Sequence, residues 1–242
     1  MTRNKNRVLG ILGGLGPMSS AYFYEMLTAH TAASSDQEHI DIVISSRSTT
    51  PDRTDYILGR SKDDPSVYMI EELKKLEAYG ADVIAIPCNT AHYFYDKLVD
   101  TVSCEVLNMV DDTVVICQKR GVKRLGIMAT EGTVGAGIYD KVCRRHGIEC
   151  VAPSAEGQKA VTRIIYDEIK AGKPASMDDI ELASADLREK GCDIAVLGCT
   201  ELSVAKKQLG LGAWYIDALE VLAKSAIEAC GKQSVGFGEL EV

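Results

Sequence analysis

The chain has no long run of lysine and arginine. Its 27 basic residues are outnumbered by 35 acidic ones, for a formal net charge of −8 over 242 residues. That balance argues against a nucleic-acid partner or an anionic membrane surface. No stretch approaches the roughly 18–20 apolar residues of a membrane span. The basic start, up to Arg7, mimics the opening of a secretion signal, but the apolar run that follows is short and is interrupted by Gly10 and Gly13. Cys-x-x-Cys is absent, as is any Cys/His cluster with metal-ligand spacing, although there are eight cysteines. A Walker-type phosphate loop is missing too. These absences point to a cytoplasmic protein with reduced thiols and no metal. The composition, 46% hydrophobic and 26% charged, is that of a globular protein. The length suits two lobes of about 100–120 residues or one large domain.

Short runs rich in Val, Ile and Leu recur at Val8–Leu12, Ile40–Ile44, Val83–Ile86, Leu125–Met128 and Ile194–Leu197. Continuous apolar runs of this length predict parallel strands covered on both faces. The segments Met18–Ala33, Ser66–Tyr79, Thr113–Arg120, Gly135–His146, Ala160–Ala171 and Met177–Lys190 have helical length and periodicity. Gly80, Gly121, Gly147, Gly172 and Gly191 stand where left-handed helix ends belong. A last strand, Trp214–Ile216, precedes a helix from Asp217 to Cys230. This alternation predicts an α/β fold with parallel sheets, whose ligands bind at the carboxyl ends of the strands.

The two halves of the chain repeat each other. Gly80-Ala-Asp-Val-Ile-Ala-Ile-Pro-Cys88 aligns without gaps on Gly191-Cys-Asp-Ile-Ala-Val-Leu-Gly-Cys199, and Leu9-Gly10-Ile11 aligns on Leu125-Gly126-Ile127 at a near-equal offset. The expected lobes are 1–112 with 212–242 returning to the first, and 113–211 between. Duplication puts Cys88 and Cys199 at equivalent positions, each after a buried strand and before a helix-starting segment. A sulfur at a helix N-terminus is expected to have a lowered pKa. Asn89, Thr90 and Thr200 are placed to cap those helices or to meet a ligand. If the lobes face each other across a pseudo-two-fold axis, the two sulfurs flank one cleft. One acid/base group on each face of a carbon is what stereoinversion requires, and the two should be alike in kind and opposite in protonation state. Backbone N–H groups and Thr and Asn side chains in a closed site would stabilise the carbanion.

Pro87-Cys88-Asn89-Thr90-Ala91-His92 and Gly198-Cys199-Thr200-Glu201 resemble the paired signatures of the cofactor-independent aspartate/glutamate racemase family. Gly13-Gly14-Leu15-Gly16-Pro17-Met18, Pro51-Asp52-Arg53-Thr54 and Ala129-Thr130-Glu131-Gly132-Thr133-Val134 resemble its aspartate or broad-specificity branch, and the motifs run in family order along essentially the whole chain. The resemblance implies that Cys88 and Cys199 are the acid/base pair, with Cys199 taking the proton from the L-isomer and Cys88 from the D-isomer. It implies that Arg53 holds the substrate's carboxylate and Lys170 the distal one. Asn89, Thr90, Thr130, Thr133 and Thr200 would contact the α-carboxylate and ammonium. Gly14, Met18, Glu201 and His92 are possible auxiliaries. Neither pyridoxal phosphate nor metal is used in this family, the substrate would be aspartate or glutamate, and a homodimer is expected. The glutamate racemase branch has Asp-Ser-Gly at the first loop and His after the second Gly-Cys-Thr; here the loop is glycine-rich and Glu201 follows Thr200.

Blander readings apply to several of these residues. Lys170 in the last turn of a helix is a dipole-favoured placement, Glu201 favours a helix start, and His92 one turn into a helix suits a structural histidine. The other six cysteines read as core or surface thiols. Gly14-x-Gly16 after a strand has the beginning of a dinucleotide fingerprint, but Pro17 intrudes, Ser19 replaces the third small residue, and Asp41 begins the second strand instead of ending it. The alternatives that stay open are a maleate isomerase, hydantoin racemase or arylmalonate decarboxylase type of enzyme, and a non-catalytic amino-acid-binding protein on the same scaffold.

Overall fold

The structure is a computed structural model that describes residues 7–240. Its first half runs β1 (Val8–Gly13), α1 (Pro17–His30), β2 (Asp41–Ser46), α2 (Arg53–Ile57), α3 (Pro65–Tyr79), β3 (Val83–Ala85), α4 (Tyr95–Val99), β4 (Glu105–Val106) and α5 (Met109–Lys119). The second half runs β5 (Arg124–Ala129), α6 (Glu131–Gly135), α7 (Ile138–Arg145), β6 (Glu149–Val151), α8 (Ala155–Thr162), α9 (Met177–Glu189), β7 (Ile194–Gly198), α10 (Thr200–Leu209), β8 (Tyr215–Asp217) and α11 (Ala218–Ala229). The strands form two four-stranded sheets of matching order, β2-β1-β3-β4 and β6-β5-β7-β8, parallel throughout. This is the α/β, two-lobed architecture expected from the alternation of elements.

The repeat has a physical basis in both sheets. Leu9 pairs with Val83 and Leu125 with Ile194, so the repeated segments are hydrogen-bonded neighbours in the same register. The repeated aspartates cap strand starts. Asp82 accepts from Val8 N (2.9 Å), and Asp193 accepts from Lys123 N (2.7 Å) and Arg124 N (2.9 Å). Gly10 and Gly126 let helices sit directly on the sheet. A Cβ at Gly10 would lie 3.3 Å from Leu76 Cβ of α3, and one at Gly126 would lie 2.9 Å from Leu187 Cδ1 of α9. The matched Gly and Asp residues are therefore architectural, whereas the matched cysteines, buried at the rim of the two outer cores, stand at the carboxyl ends of β3 and β7.

Several boundaries differ from the sequence expectation. Ile40–Ile44 is not a doubly covered strand: β2 starts at Asp41, lies at a sheet edge and has Ile44 turned outward. The helix read at Thr113 begins at Met109, where Asn108 accepts from Asp111 N (3.0 Å). Tyr215–Asp217, expected with the first lobe, pairs with β7 as the edge of the second sheet, and α11 packs on α5, α1 and β3. Helix α5 makes the reciprocal crossing and packs on α7. One apolar core consequently joins the facing sides of both sheets, from Leu9 and Ile11 to Leu125, Ile127 and Leu222, with a separate core on the outer side of each sheet. Burial of this shared apolar surface is the main force holding the lobes together.

Candidate active site

The carboxyl ends of both sheets point into the cleft between the lobes, and the loops that leave them build its walls. Cys88 follows β3 and Cys199 follows β7, and both sulfur-bearing residues line one inner cavity of about 20 Å³. That is room for about one water molecule. Leu15, Asp52, Arg53, Lys170 and Glu201 line this cavity and also a larger outer one of about 370 Å³.

The two cysteines are not equivalent in their surroundings. Cys199 is the N-cap of the ten-residue α10, and its thiol donates to Glu201 Oε2 at 2.9 Å. Burial, with the adjacent Glu201 carboxylate, pushes the Cys199 thiol well above its ordinary value. The lowered pKa expected from the helix dipole is thus overridden at this position. Cys88 precedes a 3-10 turn, Thr90–Phe94, followed by the five-residue α4, so no long helix starts behind it. The side chains expected to cap these helices do other things. Asn89 makes no cap hydrogen bond, Thr90 bonds to threonines of the other lobe, and the Thr200 hydroxyl lies 3.3 Å from Glu201 Oε2.

Four threonine hydroxyls form a buried network across the lobe boundary. Thr90 lies 3.1 Å from Thr130 and 2.9 Å from Thr133, Thr130 lies 3.1 Å from Thr133, and Thr54 donates to Thr130 at 3.4 Å. Thr130 also caps α6 by accepting from Thr133 N. Gly132 permits the close approach, since a Cβ there would fall 2.9 Å from Thr54 Oγ1. Thr90 and Thr130 line the inner cavity, while Thr133 stands behind them.

Two buried donors bordering the cavity have no hydrogen-bond partner among the described residues: Asn89 Nδ2 and Arg53 Nε. Unpaired buried donors are costly, and a ligand that accepts hydrogen bonds relieves them. Asn89 is held in this orientation by Tyr139, whose phenol donates to Oδ1 at 2.6 Å. Arg53 uses its other nitrogens on carbonyls, Nη2 on Leu15 (2.6 Å) and Nη1 on Pro51 (3.1 Å). No carboxylate is paired with its guanidinium among the described residues. Lys170 Nζ sits 3.9 Å from Glu201 Oε1 and 4.5 Å from the centre of the Tyr166 ring. Burial acts to lower the Lys170 pKa, but Glu201 together with Cys199, Tyr166 and Cys88 outweighs it and holds the ammonium above its usual value.

Of the auxiliaries, Glu201 is part of the inner site, whereas Gly14 and Met18 line only the outer cavity. Gly14 needs its left-handed φ of 82°, and a Cβ there would strike the Arg47 backbone at 2.5 Å. His92 lies outside both cavities. Its Nε2 accepts from Met109 N (3.1 Å), so Nδ1 carries the proton and donates to the Cys88 carbonyl (2.9 Å). Burial pushes His92 down to about 4, which keeps it neutral. It braces the Cys88 backbone.

Sequence reasoning missed Tyr166, Tyr139, Thr54 and the position of Leu15. Tyr166 lies within, and Lys170 caps, a seven-residue π-helix, Arg163–Ile169, inside the segment read as one helix; Lys170 N bonds back to Ile165 O (3.1 Å). Such wide turns recur at functional sites. The four-residue spacing of Tyr166 and Lys170 was the available signal.

A family model described as Asp/Glu/Hydantoin racemase matches residues 12–226. The chain belongs to this family. A broad specificity amino-acid racemase, RacX, of Bacillus subtilis (strain 168) is 30% identical over 227 residues, covering 91% of this chain and 96% of the relative. The structure of Picrophilus torridus aspartate racemase superposes with a TM-score of 0.82 at 30% identity, over 97% of this chain and 98% of that one. Glutamate racemase from Aquifex pyrophilus shares the fold, with a TM-score of 0.57 at 21% identity over 92% of this chain and 83% of that one. The family member described here is an isomerase of the racemase type. No helix among its described residues is long and apolar enough to cross a membrane.

Proposed function

We propose that the protein is a cofactor-independent racemase that interconverts the L- and D-forms of aspartate, glutamate or both by two-base proton transfer between Cys88 and Cys199. The observation that carries this reading is that the two repeated cysteines, one from each lobe, line one inter-lobe cavity together with the unpaired donors of Asn89 and Arg53. The cysteine thiolate on one side removes the α-proton. The thiol on the other side then delivers its proton to the opposite face of the carbanion. One S–H bond and one C–H bond form as another of each breaks, so no co-reactant is consumed. Asn89 Nδ2 and the Thr90, Thr130 and Thr200 hydroxyls are the groups offered to the α-carboxylate, where charge grows in the transition state. Fixed donors in a water-excluded site are worth far more than donors in water. Arg53 holds the substrate's carboxylate and Lys170 the distal one. The proposed setting is a reducing compartment, in keeping with eight unpaired thiols. The proposed assembly is a homodimer, on the family resemblance alone.

The deciding experiment incubates purified protein with L-aspartate and L-glutamate in D₂O without added cofactor. Loss of the α-proton signal and appearance of the D-isomer are expected. Neither exchange nor inversion with either substrate would remove the reading.

Glu201 gives a second, independent check. Its carboxylate helps hold the Cys199 proton on, so Glu201→Gln should ease ionisation of that thiol. In the direction where Cys199 is the base, the rising limb of the pH–rate profile is expected to move to lower pH. In the opposite direction Cys199 is the acid, and the falling limb should move down instead. Profiles unchanged in both directions would exclude electrostatic control of Cys199 by Glu201.

A further inference from the structure

An asparagine side chain has a donor end and an acceptor end of nearly the same shape, so what it offers a substrate depends on what holds it from behind. Asn89 is buried and borders the inner cavity. Its Nδ2 has no partner among the described residues, whereas its Oδ1 accepts from the Tyr139 phenol at 2.6 Å.

Tyr139 belongs to α7 of the second half and Asn89 follows β3 of the first, so this bond joins the two halves of the chain. Burial pushes the phenol well above its ordinary value, so the hydroxyl keeps its proton. The ring also meets the strand end that carries Cys199. A Cβ at Gly198 would lie 3.3 Å from Tyr139 Cε2 and 3.1 Å from Ala129 Cβ, and glycine before Cys199 leaves the ring its place. One residue before Asn89, His92 donates to the Cys88 carbonyl at 2.9 Å. The Cys88–Asn89 pair is thus braced twice, at the backbone by His92 and at the amide by Tyr139. Tyr139 lines neither the inner nor the outer cavity, so it reaches a bound substrate only through Asn89.

We propose that Tyr139 is a positioning residue for racemisation: by holding the acceptor end of Asn89 it keeps the donor end aimed at the substrate's α-carboxylate. This rests on the racemase reading above. There Asn89 Nδ2 meets charge that grows in the transition state, so the effect belongs in kcat more than in KM.

The test is a double-mutant cycle of Tyr139→Phe, Asn89→Ala and the two combined, read by steady-state racemisation of aspartate and glutamate. Asn89→Ala is expected to lower kcat by about 10- to 100-fold, the weight of a hydrogen bond to a charged group. Tyr139→Phe removes one oxygen and should lower kcat by at least about fivefold. In the Asn89→Ala background the same change should cost less than about twofold. A loss of equal size in both backgrounds would assign it to packing of the ring and overturn the proposal, and so would a wild-type kcat in Tyr139→Phe. Asn89→Asp reads the direction of the amide without touching Tyr139. It keeps an oxygen for the phenol and replaces the donor with a second oxygen, so it should fall at least as far as Asn89→Ala. Activity within about threefold of wild type would mean that the oxygen end faces the substrate, and overturns the proposal even if Tyr139→Phe does not fold. Absence of racemisation by the wild-type protein with both substrates overturns the racemase reading, and the proposal with it.

Discussion

Cys88→Ala and Cys199→Ala are each expected to lower racemisation by about a thousandfold, the range of a lost general acid or base. The two variants should fail differently. Without Cys88, the Cys199 thiolate can still take a proton from one enantiomer and return a solvent deuteron to the same face. Cys88→Ala should therefore keep deuterium exchange into the L-isomer, and Cys199→Ala into the D-isomer, both without inversion. Proton spectra of each enantiomer in D₂O, with chiral separation of the products, read both effects. Racemisation near the wild-type rate in either variant would exclude the two-base mechanism. Exchange in the opposite enantiomers would reverse the sides assigned to the sulfurs. A single variant that lost everything could be explained by misfolding, but complementary exchange by the pair could not.

Arg53→Ala is the second large effect, expected as a rise in KM of about 10- to 100-fold, the weight of a hydrogen bond to a charged group. Two losses combine in it. The substrate carboxylate loses the Nε donor, and the Leu15 carbonyl loses the 2.6 Å bond that ties the glycine-rich loop down. Arg53→Lys should fail to rescue. An ammonium can keep the charge, but it cannot donate to Leu15, to Pro51 and to a ligand in the directions of a planar fork. Steady-state kinetics with both enantiomers checks this. A KM restored by lysine would mean that charge alone matters at this position.

The parts of the fold legible in the sequence were those encoded by contiguous residues. The apolar runs of β1, β3, β5 and β7 announce central strands, and the Gly-x-Asp that precedes β3 and β7 marks the cap of the neighbouring strand. β4 and β6, two and three residues long, carry too little periodicity to read. In the candidate site, Cys88, Cys199, Asn89, Thr90 and Thr200 could be named because each sits beside a strand end or a helix start, and Thr130 on the family resemblance. Tyr166 left one local signal in its four-residue spacing from Lys170, whereas Tyr139 could not be named, because it acts on Asn89, a residue brought near only by the fold. The acidity of Cys199 was misjudged for the same reason. A helix dipole is local and visible in sequence, while desolvation and the fixed position of Glu201 are tertiary.

The crossing of α5 onto the second lobe and α11 onto the first has a consequence for how alike the two bases can be. Two identical half-chains that traded their final helices would form a symmetric pair, with two identical thiols facing each other across the axis. The fused chain retains that exchange of arms, and neither half can be withdrawn without stripping apolar surface from the other. Covalent joining frees each thiol to acquire its own neighbours. Glu201 now stands beside Cys199, and no carboxylate follows Cys88 at the matching place, where the chain has Thr90 at the start of a 3-10 turn. If the two cysteines act as proposed, the energy profile from L to D is released from mirror symmetry: kcat and KM can each differ between the enantiomers, while kcat/KM stays equal in the two directions because the enantiomers are equal in energy.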